Sequence, residues 1–242
     1  MSEDKAKQII WARPARSTRG PNPSLTLERI ARASVALADA EGLDALTMRR
    51  LAKELGTGTM SLYRYVESKD DLLDIMKDIV LTEIPRPAHP DWRTGLGWLA
   101  HQIRAQTHRH PWLAQTDAPF LFLSPHGIEY VEYLYGIIDG LGLSADAMMN
   151  AVSTVVAYAT GAVRQELASA RRAADAGVTE GEWMRAHGPY LATLLATGRY
   201  PLMKRVVLEA DTPHLSPEEG FEQGLQGVLD AVAAGLPGAS AR

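Results

Sequence analysis

The sequence of 242 residues contains no cysteine. A disulfide-bonded scaffold, a thiolate metal site and a cysteine nucleophile are therefore excluded. Long apolar runs are lacking too, since the longest uncharged stretch, residues 147–163, is shorter than the about 20 apolar residues that span a bilayer. The first ten residues are polar and contain no apolar segment of the kind that secretory signals carry. These absences predict a soluble, cytoplasmic protein without a membrane partner.

The charge is unevenly distributed along the chain. The net charge is −4, and hydrophobic residues make up 46% of the sequence, enough to bury a sizeable core. Residues 5–66 contain 11 Lys and Arg against 5 Asp and Glu, whereas residues 67–242 contain 14 against 22. A basic N-terminal quarter on an acidic body suggests a module that binds a polyanion. A chance distribution over a solvated surface is the alternative that charge alone leaves open.

From Leu25 onward the apolar residues recur with helical spacing, and no convincing strand alternation appears. Thr26 is placed to cap a first helix that Gly42 ends, and Thr47 to cap a second that Gly56 ends. A very short third helix follows, and then a fourth that extends to about residue 83. The pattern predicts an all-α protein whose N-terminal part is a small helical head.

A proline cluster marks the boundary between this head and the rest of the chain. Residues 85–90 contain three prolines, which cannot continue a helix. We therefore predict a flexible basic arm over residues 1–24, a head over 25–84 and a larger helical body over 85–242. The helices of the body are expected near residues 91–108, 125–139, 144–174, 180–197, 200–209 and 217–235.

The segment 47–65 has the dimensions of a helix-turn-helix. Leu51 and Leu55 are placed to pack inward, and Gly56 allows the left-handed turn between the two helices. The second helix buries Leu62 and leaves hydroxyl groups and one guanidinium available to a DNA groove. An ordinary helical hairpin without a nucleic acid partner is the alternative.

Residues 25–81 resemble the DNA-binding head of the TetR family of transcriptional regulators. The resemblance is carried by the runs ADAEGL at 38–43, TMRRLA at 47–52, LG at 55–56, LYRYV at 62–66 and SKDDLL at 68–73. It implies a homodimer that binds a palindromic DNA operator as a repressor and is released by a small-molecule effector. One departure is Gly58, where many members carry serine as the N-cap, and this costs only a few tenths of a kcal/mol.

The resemblance also implies which residues contact DNA. Those at base-edge positions are Thr57, Thr59, Met60, Ser61 and Arg64, with Gly58 at the helix start. Those at phosphate-contacting positions are Thr47, Tyr63, Tyr65 and Lys69. A helix N-terminus at Thr47 and an ammonium at Lys69 both attract phosphate on physical grounds.

The N-terminal arm carries Arg13, Arg16 and Arg19 at every third position, among prolines. It resembles a minor-groove arm, because narrow grooves attract arginine through their enhanced negative potential. We predict that these three arginines contact DNA, and a solvated tail without a DNA contact is the alternative.

Aromatic and histidine side chains are concentrated between residues 92 and 135, and an effector pocket needs apolar walls with a few polar groups. We predict that the pocket contains Trp98, His101, Trp112, Phe120, Tyr133, Tyr158 and Trp183. For any single one of them, plain core packing is the alternative. The apolar stripes of 144–174 and 217–235 are candidates for the four-helix dimer interface that the resemblance implies, or else for the protomer core.

The sequence contains little that indicates an enzyme. Residues 95–100 match a dinucleotide-binding fingerprint, but no strand precedes them. His101 and His108 share a helical face without a third ligand at metal spacing. We predict no enzyme, no cofactor and no metal, and interpret the chain as a ligand-responsive DNA-binding regulator. A small-molecule-binding helical protein whose head docks another protein is the alternative, against which the basic head argues.

Overall fold

The computed structural model describes residues 9–13, 25–116, 123–177, 180–209 and 215–237. These residues form helices and connecting turns, without a strand among them, which confirms the predicted all-α class. Within this part of the chain, no helix combines the length and apolar character that crossing a bilayer requires. The helices are α1 Leu27–Glu41, α2 Met48–Glu54, α3 Thr59–Leu62, α4 Lys69–Val80, α5 Trp92–Arg109, α6 Pro125–Ile138, α7 Ala145–Ala176, α8 Glu180–Ala196, α9 Pro201–Glu209 and α10 Pro217–Ala234.

Helices α1 to α4 form the head, and side-chain caps define where they begin. The hydroxyls of Thr26, Thr47 and Ser68 each accept a hydrogen bond from the backbone N–H three residues later. Helix α1 packs against α4, and α2 packs against both α1 and α3. The fully buried side chains at the centre of the head include Ile30, Leu51, Leu62, Val66, Leu72, Ile75 and Met76.

The turn between α2 and α3 has the geometry that the sequence predicts. Gly56 adopts a φ of 64°, in the left-handed region that favours glycine. The N–H of Thr57 donates to the carbonyl of Ala52 and that of Gly56 to Lys53, which satisfies the last carbonyls of α2. These hydrogen bonds end α2 and turn the chain toward α3.

Helices α5, α6, α7 and α10 form the core of the body. Helix α5 packs along α7 and also contacts α6 and α10, and α7 packs against α10. The buried residues of α10 are Phe221, Leu225 and Leu229, which lie in the same core as Val155 and Ala159 of α7. The buried side of each apolar stripe therefore lies in the core of the protomer, and the four-helix dimer interface formed by these two helices stays a prediction.

Helices α8 and α9 contact each other but bury little of their apolar surface. Helix α8 contains Pro189 in its interior. The large apolar side chains that stay exposed on these two helices are Trp183, Tyr190, Leu202, Met203, Val206, Val207 and Leu208.

Among the described residues, the most extensive packing between body and head lies at two places, apart from the chain itself. Helix α6 contacts α4, and the short 3-10 helix Pro111–Gln115 that follows α5 contacts α1. Through this second contact Trp112 enters the hydrophobic core of the head, where it is fully buried.

Candidate DNA-binding surface and effector region

The recognition helix α3 is anchored on one side and exposed on the other. Leu62 and, just beyond the helix, Val66 are fully buried in the head. Met60 is 75% exposed, Tyr63 is 43% exposed and Arg64 also lies at the surface. Of the predicted contact residues, Thr47, Gly58, Met60, Tyr63, Arg64 and Lys69 are exposed, and Thr57, Thr59, Ser61 and Tyr65 are half-buried.

The first turn of α4 lies close to the chain that leads into α2. Lys69 donates from Nζ to the carbonyl oxygen of Leu43 at 3.1 Å, four residues before Thr47. The ammonium at the first residue of α4 is therefore held against the 3-10 turn Leu43–Ala45 that precedes α2. An exposed ammonium at a helix N-terminus is suited to binding a phosphate.

The N-terminal segment differs from the predicted free-standing arm. Residues 10–12 form a 3-10 turn, and Ile10 is buried in the core of the head. The guanidinium of Arg13 donates from both terminal nitrogens to the carboxylate of Asp71, at 2.7 and 2.8 Å. Arg13 thus binds the head in this structure, and its contact with DNA stays a prediction, while Arg16 and Arg19 lie outside the described residues.

The reason for this pairing lies in the environment of Asp71. Its side chain is only 4% exposed, and a carboxylate so deeply buried requires compensating donors. The backbone N–H of Glu67 supplies one and Arg13 supplies two. The hydrogen bond to Asp71 raises the pKa of Arg13, and burial of the guanidinium lowers it. The hydrogen bond has the larger effect, so the pKa of Arg13 lies above its ordinary value.

The predicted pocket residues do not come together in one place. Trp98 and Tyr133 form an aromatic cluster with His89, with ring centroids 5.1 to 6.3 Å apart. The Tyr133 hydroxyl donates to the carbonyl of Pro87. His101 and Tyr158 lie around Phe221 instead, and the hydroxyl of Tyr158 donates to its carbonyl at 2.6 Å.

Two further predicted pocket residues lie away from both of these clusters. Trp112 lies in the core of the head and not in the body, because the 3-10 helix that carries it packs onto α1. Trp183 is 50% exposed on α8 and stacks on His187, with ring centroids 4.3 Å apart. Phe120 lies outside the described residues.

Three buried polar atoms in the body were not anticipated. The side-chain oxygen of Gln106, the hydroxyl of Tyr130 and Nε of Arg164 have no hydrogen-bond partner among the described residues. They lie on α5, α6 and α7, which contact one another pairwise. Burial raises the pKa of Tyr130, so its hydroxyl remains a donor at neutral pH. The sequence carried one signal, because Arg164 is the charge that ends the long uncharged stretch 147–163.

Gly95, in the segment 95–100 that matches the dinucleotide-binding fingerprint, allows two helices to pack closely. Gly95 lies inside α5, and a Cβ atom there would clash with the side chain of Ile137 on α6. The two histidines considered as metal ligands pair with different carboxylates, His101 with Glu222 and His108 with Glu166. The described residues contain no cluster of His, Asp and Glu that could hold a metal ion.

Comparison with known proteins identifies both parts of this architecture. Residues 25–76 match the family model described as bacterial regulatory proteins, tetR family, and residues 84–236 match the tetracyclin repressor-like C-terminal domain. The chain belongs to the TetR family. It is a ligand-responsive, DNA-binding transcriptional regulator of the TetR type.

Relatives of this TetR-family regulator align over most of their length. The HTH-type transcriptional repressor DrrR1 of Streptomyces coeruleorubidus is 39% identical over 93% of this chain and 83% of its own. The class A tetracycline repressor of Escherichia coli is 27% identical over 84% of this chain and 88% of its own. The Streptomyces coelicolor TetR family protein ActR, solved in complex with actinorhodin, is 29% identical with a TM-score of 0.75, over 90% of this chain and 100% of its own.

The head and body of this TetR-family regulator meet through two histidines. His126 at the start of α6 lies with Nδ1 2.7 Å from the carboxylate of Asp78 on α4, which also accepts from its backbone N–H. His110 lies between two acids, with Nδ1 2.9 Å from Asp39 and Nε2 3.1 Å from Glu83. Burial alone would raise the pKa of Glu83, but hydrogen bonds from His110 and a neighbouring arginine outweigh it and hold that pKa below its ordinary value.

Proposed function

We propose that this regulator represses transcription by binding a palindromic operator as a homodimer in the cytoplasm, and that an effector bound in its body releases it. The DNA-binding part of this proposal rests on the exposed face of α3 and the residues just after it. Leu62 fixes the inner side of the helix in the core of the head. The exposed side chains are those of Met60 on the helix and of Tyr63 and Arg64 directly after it. Hydroxyl and guanidinium groups on such a face read base edges and phosphates.

The homodimer is supported by the surface of α8 and α9. Monomeric proteins rarely leave many large apolar side chains uncovered on neighbouring helices. Trp183, Tyr190 and Leu202 are each at least half exposed there, and an identical partner would cover them. Two-fold symmetry places the two recognition helices in successive major grooves, about 34–36 Å apart, which requires a palindromic operator.

The effector site is supported by the buried polar atoms of α5, α6 and α7. Native interiors leave few such groups unpaired, and each one calls for a partner. Tyr130 and Arg164 offer donors and Gln106 offers an acceptor. Aromatic side chains on α5 and α6, including Trp98 and Tyr133, supply flat apolar surface nearby in the sequence. We infer a flat aromatic effector that carries oxygen groups at its edge.

Selection of the purified protein against a pool of random duplex DNA tests the proposed operator. We expect enrichment of one palindrome, with each protein dimer bound to a single copy. Affinity for that palindrome should fall steeply with salt, because phosphate neutralisation releases counterions. A protein that enriches no sequence after refolding, which strips any bound effector, would refute the proposal.

Tyr130→Phe tests the effector site. Removing a buried hydroxyl without a protein partner is expected to raise the free energy of unfolding by about 1 kcal/mol, since its desolvation is no longer uncompensated. The same change should weaken binding of actinorhodin, used as the first aromatic probe, by roughly tenfold. Thermal unfolding and a fluorescence titration measure the two effects.

Tyr133→Phe is the matched control, because its hydroxyl donates to the carbonyl of Pro87. This variant is expected to lose about 1 kcal/mol of stability where Tyr130→Phe gains it. If both variants lose stability equally and bind each aromatic probe as the parent does, Tyr130 does not hold the effector.

A further inference from the structure

The imidazole of His110 has an arrangement that only its charged form satisfies. Its side chain is 4% exposed, and each ring nitrogen faces a carboxylate oxygen, Nδ1 that of Asp39 and Nε2 that of Glu83. A neutral imidazole carries one N–H and one lone pair, so it can donate to only one of these acids. The imidazolium donates to both at once.

The two acids belong to different structural units from the histidine. Asp39 lies on α1 in the head, and Glu83 lies in the 3-10 turn Leu81–Glu83 that ends α4. His110 follows α5 and therefore belongs to the body. One buried side chain thus connects the body to α1 and to the end of the helix that carries the head.

The neighbouring groups reinforce this connection. Trp112 donates from Nε1 to Asp39 at 2.9 Å, and Arg109 donates to Glu83 at 3.2 Å. Helix α7 holds the other end of the same 3-10 helix, because Arg164 donates from Nη2 to the carbonyl of Thr116 at 2.6 Å. Among the described residues, the charged groups in contact with His110 are therefore two acids from the head side, and Arg109 of α5 pairs with one of them.

The contact with Arg164 links this junction to the effector region. Arg164 is one of the residues with a buried, unpaired nitrogen, and it holds the end of the segment that carries His110 and Trp112. An effector that binds to Nε of Arg164 would engage the same guanidinium that holds Thr116 through Nη2. A displacement of this guanidinium would act on the 3-10 helix that ends at Thr116 and carries the contacts with Asp39 on α1.

We propose that His110 is a positioning residue that holds the head against the body as an imidazolium, and that its protonation state changes operator affinity. Loss of the proton leaves one carboxylate facing a lone pair, so the head is no longer held in a single orientation. The two heads of a dimer must keep a fixed spacing to bind successive grooves, and the neutral form therefore binds the operator more weakly. The effect on DNA rests on the proposed function, whereas the junction itself does not.

Fluorine NMR of protein labelled with 5-fluorotryptophan tests the junction without DNA. The chain contains 5 tryptophans, and Trp112→Phe identifies the signal of the residue whose ring lies 5.9 Å from His110. We expect this signal to shift between about pH 5 and about pH 9, the range that brackets imidazole titration. The shift should disappear in His110→Gln. A Trp112 signal that does not titrate in the parent protein overturns the inference.

His187→Gln is the matched control, because His187 stacks on Trp183 far from the junction in the sequence. It should change the Trp183 signal, on which its ring stacks, and leave the pH response of Trp112 unaltered. If His110→Gln does not fold, Asp39→Asn removes one of the two carboxylates and is expected to alter the midpoint of the Trp112 titration. A midpoint unchanged by Asp39→Asn contradicts the inference.

Operator affinity measured at about pH 6 and about pH 8 tests the consequence, with the palindrome obtained from the selection. Between these two pH values, the operator affinity of the parent protein is expected to fall at least about fivefold more than that of His110→Gln. A factor of about five is the lower end of typical coupling between two sites. Equal losses in the two proteins overturn the coupling even when the Trp112 signal titrates. If no palindrome is enriched, the proposed function fails, and the fluorine titration alone decides whether His110 acts at the junction.

Discussion

Arg13→Ala is expected to lower the free energy of unfolding by about 3 kcal/mol, although the residue lies in a segment that looks dispensable. The change removes the bidentate partner of Asp71, whose side chain is 4% exposed. The backbone N–H of Glu67 still donates to it, but a neutral donor does not replace the charge of a bidentate guanidinium at a buried carboxylate. Urea unfolding followed by circular dichroism measures the loss.

Arg32→Ala provides the comparison for this result. Arg32 pairs with Glu28 on the surface of α1, where both side chains are more than half exposed, and such pairs contribute at most about 1 kcal/mol. Adding Asp71→Asn to Arg13→Ala should recover part of the loss, because a neutral amide is less costly to bury than an unpaired carboxylate. Equal stability of the Arg13 and Arg32 variants would show that the pairing with Asp71 contributes little.

Arg64→Ala is expected to weaken operator binding by roughly 10- to 100-fold and to relax base preference at one position of each half-site. Arg64 is the only long side chain with several donors on the exposed face of α3 and its extension among the predicted base-contacting residues. A guanidinium bound to a base edge discriminates against the other bases, so its loss affects the selected palindrome more than unrelated duplexes. Quantitative binding to the palindrome and its single-base variants measures both effects.

Lys69→Ala separates base reading from phosphate binding. Its loss should weaken binding to all sequences by a similar factor and reduce the slope of affinity against salt by about one unit. Arg64→Ala should leave more of this salt slope intact. If the two variants change specificity and salt dependence alike, Arg64 contacts phosphate and not a base.

The head could be predicted from the sequence because its determinants are local. Thr26, Thr47 and Ser68 cap the helix that follows each of them, and the N–H of Gly56 closes the turn onto the carbonyl three residues earlier. Such relations lie within one helical turn and therefore appear as spacing in the sequence. The runs that resemble the TetR family extend over the same residues.

The pairing of Arg13 could not be predicted in this way. Its partner Asp71 lies 58 residues away, and an arginine among prolines has the same sequence appearance whether it binds DNA or a buried acid. Tertiary packing decides between two local patterns that are equally plausible.

The effector region was harder still, because aromatic residues close in sequence diverge in space. Trp98 and Trp112 are both near α5, yet the turn after this helix carries Trp112 into the head and leaves Trp98 in the body. The polar atoms of Gln106 and Tyr130 became visible only through their burial without a partner. Composition locates an aromatic region, whereas the packing of α5 to α7 determines which side chains face its interior.

The ion pair between Arg13 and Asp71 also bears on where the folded head begins. The residues that match the family model start only at residue 25, yet the core of the head includes Ile10 and its buried acid pairs with Arg13. A fragment of the head that starts at residue 25 would therefore lose a core side chain and the charged partner of Asp71. The boundary of the stable unit lies ahead of the boundary that family similarity draws.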